Sequence, residues 1–538
     1  MPAQAVQYFR IELNGGLSTE RSPFAVVGVE TNNTIRVPYL TRAENIQYRT
    51  SGAWQKVGGA EIMNATALGD PVILAMWDYW ALSGVNVTAG TQQLVVRTED
   101  AIYTIAPSTG IATEQTTGLA AATIHMTQFD DLLIVCSDDD TAPQKWDGAA
   151  FGAVGTNTPN IHFSEEHKNY LFGAGVDADE STLFHSQYVT NGGPDGDWDG
   201  ASAGVISISP DDGDKITAIV SHNDKLFIFK GPYKGSIHIL EGSSTAGDDV
   251  FRLRPLIKKG LGAVHQNSIF RYRNDVGFLW SDGTVHSLEA VETAGDFYMV
   301  QLSRDIDKYI KDNAAKDLLH KAWAVSHVET GEVKINIPLT GSATPNQCIA
   351  LDYRFQEMRW AFQAKIATTC MINYVDTANG NERIILSGGT DGYVRRLNRP
   401  NRRYEDTPSA YSGMETVVDY PFIDFGSAVD EKTLMYASAS FKPKGTATAQ
   451  FRWTRDEETT QTRNFNQDGG ATLDNFTLGM DVLGGASGYA TRFMHMEDGG
   501  KFRSLALGVR QLALNEDIEL YALGVAIKPA GKALTNVR

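Results

Sequence analysis

The 538-residue chain is short of cysteine, of positive charge and of long apolar runs. Its three cysteines, Cys136, Cys348 and Cys370, lie far apart and form no CxxC. An odd, scattered set argues against a disulfide framework and predicts buried free thiols, formed in a reducing cytoplasm. Lys and Arg number 47 against 65 Asp and Glu, for a formal charge of −18. That balance argues against a basic nucleic-acid clamp, although DNA slides past an acidic surface without sticking. No run reaches the roughly 18 apolar residues of a membrane helix, so no membrane insertion is expected. The opening MPAQAVQYFRIELNGG has no basic stretch leading into an apolar one, so no secretory signal is expected either. Catalytic signatures are missing as well. There is no GxxxxGK[ST], and the 11 histidines, His162, His167, His185 and His222 among them, show no HxH or HExxH spacing.

Glycine, at 51 against 18 prolines, is plentiful, as suits many tight turns at positive φ. Between Leu94 and Leu397 one pattern recurs: an apolar run, a polar turn, then an alternating run. It reads LVVRTEDAIYTI from Leu94, LLIVCSDDDTAPQKW from Leu132, LFGAGVDADESTLFHS from Leu171 and LFIFKGPYKGSIHIL from Leu226. It continues as VGFLWSDGTVHSL from Val276, AWAVSHVETGEVKINI from Ala322 and IILSGGTDGYVRRL from Ile384. Hairpins repeated every ~40–60 residues predict a β-propeller. Four consecutive apolar residues, as in Leu226–Phe229, predict strands buried on both faces. The run Val72–Trp80 fits either a first blade strand or a short buried helix. SRDIDKYIKDNAAKDLLHKAW predicts a helix capped by Ser303, with Ile306, Tyr309 and Ile310 on one face, packing between blades. Residues 395–409, RRLNRPNRRYEDTPS, read as a linker, and longer alternating strands follow it. The expectation is an all-β chain with few short helices. It comprises an extended segment, 1–60, that packs on or closes the propeller; a propeller, 61–400, of about six to eight blades with seven favoured; and a linker with a C-terminal antiparallel β-sandwich, 401–538.

Several clusters invite chemistry. Asp195, Asp197 and Asp199, followed by Gly200, match the first half of a calcium loop, but position twelve is Ile206, not a bidentate acid. The competing reading is a turn-rich polar loop. Asp138–Asp140 and the set Asp211, Asp212 and Asp214 are two further acidic clusters. Paired carboxylates are what glycoside hydrolysis requires, although acidic loops are ordinary in a chain of this charge. Trp280–Thr284 reads as a hairpin turn, not a sialidase-type box. Arg395, Arg396, Arg399, Arg402 and Arg403 form the single basic cluster. They read either as a solvated linker or as a contact with an acidic neighbouring subunit, which the overall charge favours over DNA.

Three stretches resemble a family of tailed-phage virion proteins. NGGLSTERSPF, with AENIQYRTSGAWQKVGG after it, resembles the family's opening. AGVISISPDDGDKITAIVSHNDKLFIFKGPYKGSIHILEG and FRLRPLIKKGLGAVHQNSIFRYRNDVGFLWSDGTVHSL resemble its propeller core. GGKFRSLALGVRQLALNEDIELYALGVAIKP is similar to its final sheet. In short-tailed phages these proteins are called nozzle, tail tubular protein B or tail stabilisation protein. The resemblance implies a structural protein of the virion tail, assembled in the host cytoplasm, without catalytic residues or cofactor. It implies a homohexameric ring around the DNA exit channel, bound to the tail adaptor protein and supporting tail fibres or tailspikes. The alternative is a carbohydrate-active propeller, suggested by the acidic loops and 52 aromatic residues.

Overall fold

The computed structural model describes residues 6–24, 32–82, 88, 90–155, 157–187, 198, 203–242, 251–254, 258–291, 296–366, 368–442, 448–467, 489–496, 500–514 and 516–532. The chain divides into two compact units. One is Ile62–Cys348 with Ala367–Leu397; the other is Met1–Glu61, Ile349–Ile366 and Asn398–Arg538. These boundaries differ from the three successive segments read from the sequence, because the first sixty residues belong with the C-terminal strands.

The first unit is the propeller. Each of the seven hairpins forms an antiparallel pair, and each lies in a different sheet. The innermost strands, in chain order, are Ile73–Trp80, Ile124–Phe129, Phe163–His167, Lys215–His222, Ile269–Tyr272, Trp323–His327 and Cys370–Asp376. They number the blades below. The ambiguous run at Val72–Trp80 is therefore a strand, and its alternate side chains serve two neighbours.

Period-two geometry explains the four-residue apolar runs. Leu226 and Ile228 join a core shared with the third blade, through Phe172 and Leu183. Phe227 and Phe229, facing the opposite way, join one shared with the fifth, through Val276 and Phe278. Leu132, Ile134 and Cys136 likewise face the third blade, and Leu133 and Val135 the first. A blade is a sheet with no solvent face, so its central strands cannot alternate with polar residues. All three cysteines are buried and free. Burial pushes each thiol up to about 12, so they are inert at neutral pH.

The ring closes where residues entering the first blade bond to the seventh. Met63 N–H donates to Val394 O at 2.8 Å, Leu68 N–H to Gly392 O at 3.0 Å and Ile73 N–H to Gly389 O at 3.0 Å, while Gly392 N–H donates to Pro71 O at 2.7 Å. The buried Asn64 fastens the same junction. Its Nδ2 donates to Thr66 O at 2.7 Å and Gly392 O at 2.9 Å, and its Oδ1 accepts from Val394 N–H at 2.8 Å. Met63, Leu68, Ile73 and Met76 pack beneath against Tyr374, Ile384 and Leu386.

The predicted helix is shorter than its sequence pattern. Ser303 to Ile306 form a hydrogen-bonded turn, the α-helix spans Asp307–Asn313, and a 3-10 helix spans Lys316–Lys321. Ile306 and Ile310 are buried, and it lies in sequence between the fifth and sixth blades. At Gly283, with φ +90, a Cβ would come within 2.6 Å of Ile310 Cγ2, so glycine admits the helix here.

The second unit is the expected sandwich, completed by both chain ends. One sheet orders Thr34–Val37, Gln7–Leu13, Glu519–Lys532, Asp430–Lys442 and Ala490–His495. The other runs Arg359–Phe362, Arg42–Glu44, Thr416–Asp419, Leu505–Gln511, Thr448–Arg455 and Gln461–Asn466. Phe441 of the first meets Phe465 of the second at 5.8 Å between ring centroids. Two parallel pairs, Gln7–Leu13 with Thr34–Val37 and Glu44 with Phe362, make it not wholly antiparallel. The expected linker is also structured: Val394–Arg399 and Arg403–Thr407 are strands.

Replacing Asn64 by alanine strips three hydrogen bonds from the closure and leaves buried backbone groups unpaired. We expect a loss of roughly 2–4 kcal/mol, read as a lower urea midpoint of the propeller transition; an unchanged midpoint would show that the junction does not depend on Asn64.

Candidate functional site

The innermost strands line a central cavity of about 640 Å³. Polar positions on these strands face it, because the strand edge nearest the axis has no neighbouring blade to pack against. A smaller cavity of about 320 Å³ follows; Asn267 and Trp323 line both.

Many channel-facing polar groups hold blade to blade. Gln266 clamps Ile219, its Nε2 donating to Ile219 O and its Oε1 accepting from Ile219 N–H, both at 2.7 Å. Asn267 Nδ2 donates to Ile124 O at 2.9 Å, linking the fifth blade's entry to the second. Asn373 Nδ2 donates to Ser326 O at 2.8 Å and Trp323 Nε1 to Met371 O at 2.5 Å, joining the sixth and seventh blades. Asp78 accepts from Gln92 Nε2 at 2.7 Å and Val375 N–H at 3.2 Å. Burial raises its carboxyl above the usual range despite those donors. His125 is held neutral, its pKa pushed down to about 3 by burial and then by His265.

Glu165 stands apart. Burial pushes its carboxyl up to about 7, opposed by the Ser221 N–H, which donates to Oε1 at 3.1 Å, and by Arg271. The Arg271 guanidinium is fixed beside it, donating to Ser221 O at 2.7 Å and meeting His222 Nδ1 at 2.9 Å. Near neutral pH such a carboxyl is half-protonated and can give or take a proton. A carboxyl, an arginine and the rings of Trp77 and Phe270 in one cavity form a polar binding pocket with apolar walls.

The sequence-derived candidates fall elsewhere. Asp195, Asp197 and Asp199 lie outside the described residues. In the second acidic set, Asp212 pairs at 2.8 Å with the buried Lys230, which also donates to Ser181, Ile208 and Ser209. Asp214 accepts from the N–H groups of Tyr233, Lys234 and Gly235 at 2.9, 2.9 and 2.7 Å. Those carboxylates shape a hairpin turn. Asp138 and Asp139 are likewise engaged, Asp138 by Thr123 N–H at 2.6 Å and Asp139 by the hydroxyls of Ser137 and Thr141, each at 2.6 Å.

The arginines are dispersed onto internal partners. Arg395, 1% exposed, pairs with Asp391, Nη1 to Oδ1 at 3.0 Å. Arg396 Nε donates to the buried Asp376 at 2.8 Å, Arg399 Nε to Glu61 at 3.1 Å and Arg402 Nη2 to Asp517 at 3.2 Å. Arg403 stacks 3.6 Å from the Tyr411 ring centroid. Glu165 and Arg271 escaped notice because neither sits in a motif, and each is one of the exposed or half-buried positions in a short strand.

No family model matches the chain. No curated protein matches it. Among solved structures, it is similar to BamB from Moraxella catarrhalis, at 11% identity and a TM-score of 0.38, over 66% of this chain and 96% of that one. It is similar to a glycoside hydrolase at 10% identity and a TM-score of 0.25, over 89% and 97%. It is also similar to BBS1N in complex with ARL6DN, at 12% identity and a TM-score of 0.35, over 64% and 96%. At such identities and scores these likenesses carry no argument about what the chain does.

The raised carboxyl of Glu165 fixes a sign for pH dependence. Its folded pKa lies above the ordinary 4.5, so its contribution is fully present below pH 4.5 and is lost as pH rises to about 7. Glu165→Gln keeps the acceptor for Ser221 N–H without the charge. Urea unfolding should find the variant more stable than the parent by about 1–3 kcal/mol at pH 8 and equal to it at pH 4; an equal gain at both pH values would contradict the assignment.

Proposed function

We propose that this chain is a structural protein of a short phage tail, one subunit of a nozzle ring around the DNA exit channel. The observation that carries the reading is the position of the resembling stretches. The opening and closing segments that resemble the phage family meet in one sheet, where Trp54 pairs with Leu520 and Gln55 with Glu519. The middle stretches that resemble its core supply the central hairpins of the fourth and fifth blades. A pattern shared by segments more than 400 residues apart in sequence, yet adjacent in the fold, is what a common architecture would leave. The charge of −18 suits a wall past which DNA slides, since like charge suppresses adhesion. In this reading the ring is a homohexamer of the virion tail, seated on the adaptor protein and carrying fibres or tailspikes. It works by shape and without catalysis.

One observation favours a second reading, a carbohydrate-active propeller. It is Glu165, titrating near neutrality in a cavity with aromatic walls.

Mass photometry of the purified chain, alone and mixed with its tail adaptor protein, should find a closed six-fold assembly. A chain that stays monomeric with the adaptor present would overturn the nozzle reading. Saturable binding or cleavage of bacterial polysaccharide, lost in Glu165→Gln, would establish the second reading in its place.

A further inference from the structure

We propose that Asp140, His162 and Asp177 form a binding site for one divalent transition-metal cation of the zinc class, which clips the hairpin loops of the second and third blades together. The three side chains come from three places. Asp140 lies in the loop between Leu132–Ser137 and Gln144–Trp146, His162 directly precedes Phe163–His167, and Asp177 lies in the loop between Tyr170–Ala174 and Thr182–His185. One potential ligand atom from each lies within 4.8 Å of the other two.

The imidazole carries the argument. His162 is 8% exposed, and its buried Nε2 has no hydrogen-bond partner. A buried ring nitrogen without a partner is costly, and it is aimed at the Asp177 carboxylate, 3.8 Å away. An imidazole nitrogen with no hydrogen-bond partner can offer its lone pair to a metal ion. Lys215 also acts on the ring and opposes a bound cation, which leaves the attraction to the carboxylates.

The surroundings are arranged around that nitrogen. Of the three consecutive aspartates, Asp138 and Asp139 are taken by neighbouring donors, and Asp140 is the one that joins the histidine. Asn160 Nδ2 donates to Asp140 O at 2.7 Å and reaches its Oδ1 at 3.4 Å, orienting the carboxylate as outer partners of metal ligands do. Gly175, at φ +90, lets the Asp177 loop lie against the ring: a Cβ there would come within 2.9 Å of His162 Cβ. Zinc sits about 2.0–2.2 Å from nitrogen and carboxylate ligands. The two exposed aspartates close the remaining gap by rotation. One imidazole and two carboxylates, with solvent on the open side, suit zinc-class ions better than calcium, which takes six to eight oxygens.

The test is calorimetric titration of zinc chloride into the full chain, untagged and stripped with chelator, with cobalt(II) absorption as a second readout. We expect one equivalent of saturable binding, abolished in His162→Gln and in Asp177→Asn and weakened about tenfold in Asn160→Ala. The cobalt ligand-field bands should vanish with His162→Gln. Asp177 is exposed, so Asp177→Asn keeps the fold and its result stands by itself. Absence of saturable zinc binding would overturn the proposal. So would zinc binding that survives Asp177→Asn unchanged, or a site that takes calcium and not zinc.

Discussion

Closure of the propeller is the constraint on which the rest depends. Blades packed face to face bury both surfaces of every central strand, so the first and last must also find a partner. The chain supplies it with the segment 63–73, whose amides and carbonyls pair with Gly389, Gly392 and Val394. Without that junction, the apolar faces of Met76, Leu94 and Val96 on one side and Tyr374, Ile384 and Leu386 on the other would meet water. Closure also fixes the channel. Gln266, Asn373 and Trp323 can bridge neighbouring blades, and Asn267 can reach the second blade, only because the ring holds their partners in register.

The repeat was legible because its cause is local. A strand with a blade on each face must be apolar at successive positions, and its turn must be polar, so hairpins such as Leu226–Leu240 declare themselves. The joining of the chain ends was not legible. Gln7–Leu13 pairs with Glu519–Lys532 across almost the whole sequence, and such a pairing leaves no periodic trace. The helix after Ser303 was overextended for a related reason. Its apolar spacing continues past Asn313, but Ala314 takes an extended backbone and a 3-10 helix follows.

Charge was the least legible property. A run of arginines beside Asp391, Glu405 and Asp406 looks like a solvated linker that balances nearby acids. Asp376 lies 20 residues from Arg396, Glu61 338 from Arg399 and Asp517 115 from Arg402, so only the fold reveals the pairs. The candidate sites share this character. Glu165 and Arg271 come from different blades, as do Asp140 and Asp177, and scattered single residues carry no spacing to recognise. In the nozzle reading, a ring wall needs stiffness first. A propeller whose channel residues bind across the blades provides it, Glu165 included through the Ser221 N–H.

Hydrogen–deuterium exchange at the closure tests this account most directly. If the junction holds the ring, the amides of Met63, Leu68, Ile73 and Gly392 exchange only through global opening of the propeller. Their protection should then equal that of central-strand amides such as Val95 and Ile228. Fast exchange at those four amides, with the central strands still protected, would show that the blades hold together without the junction and would contradict the account.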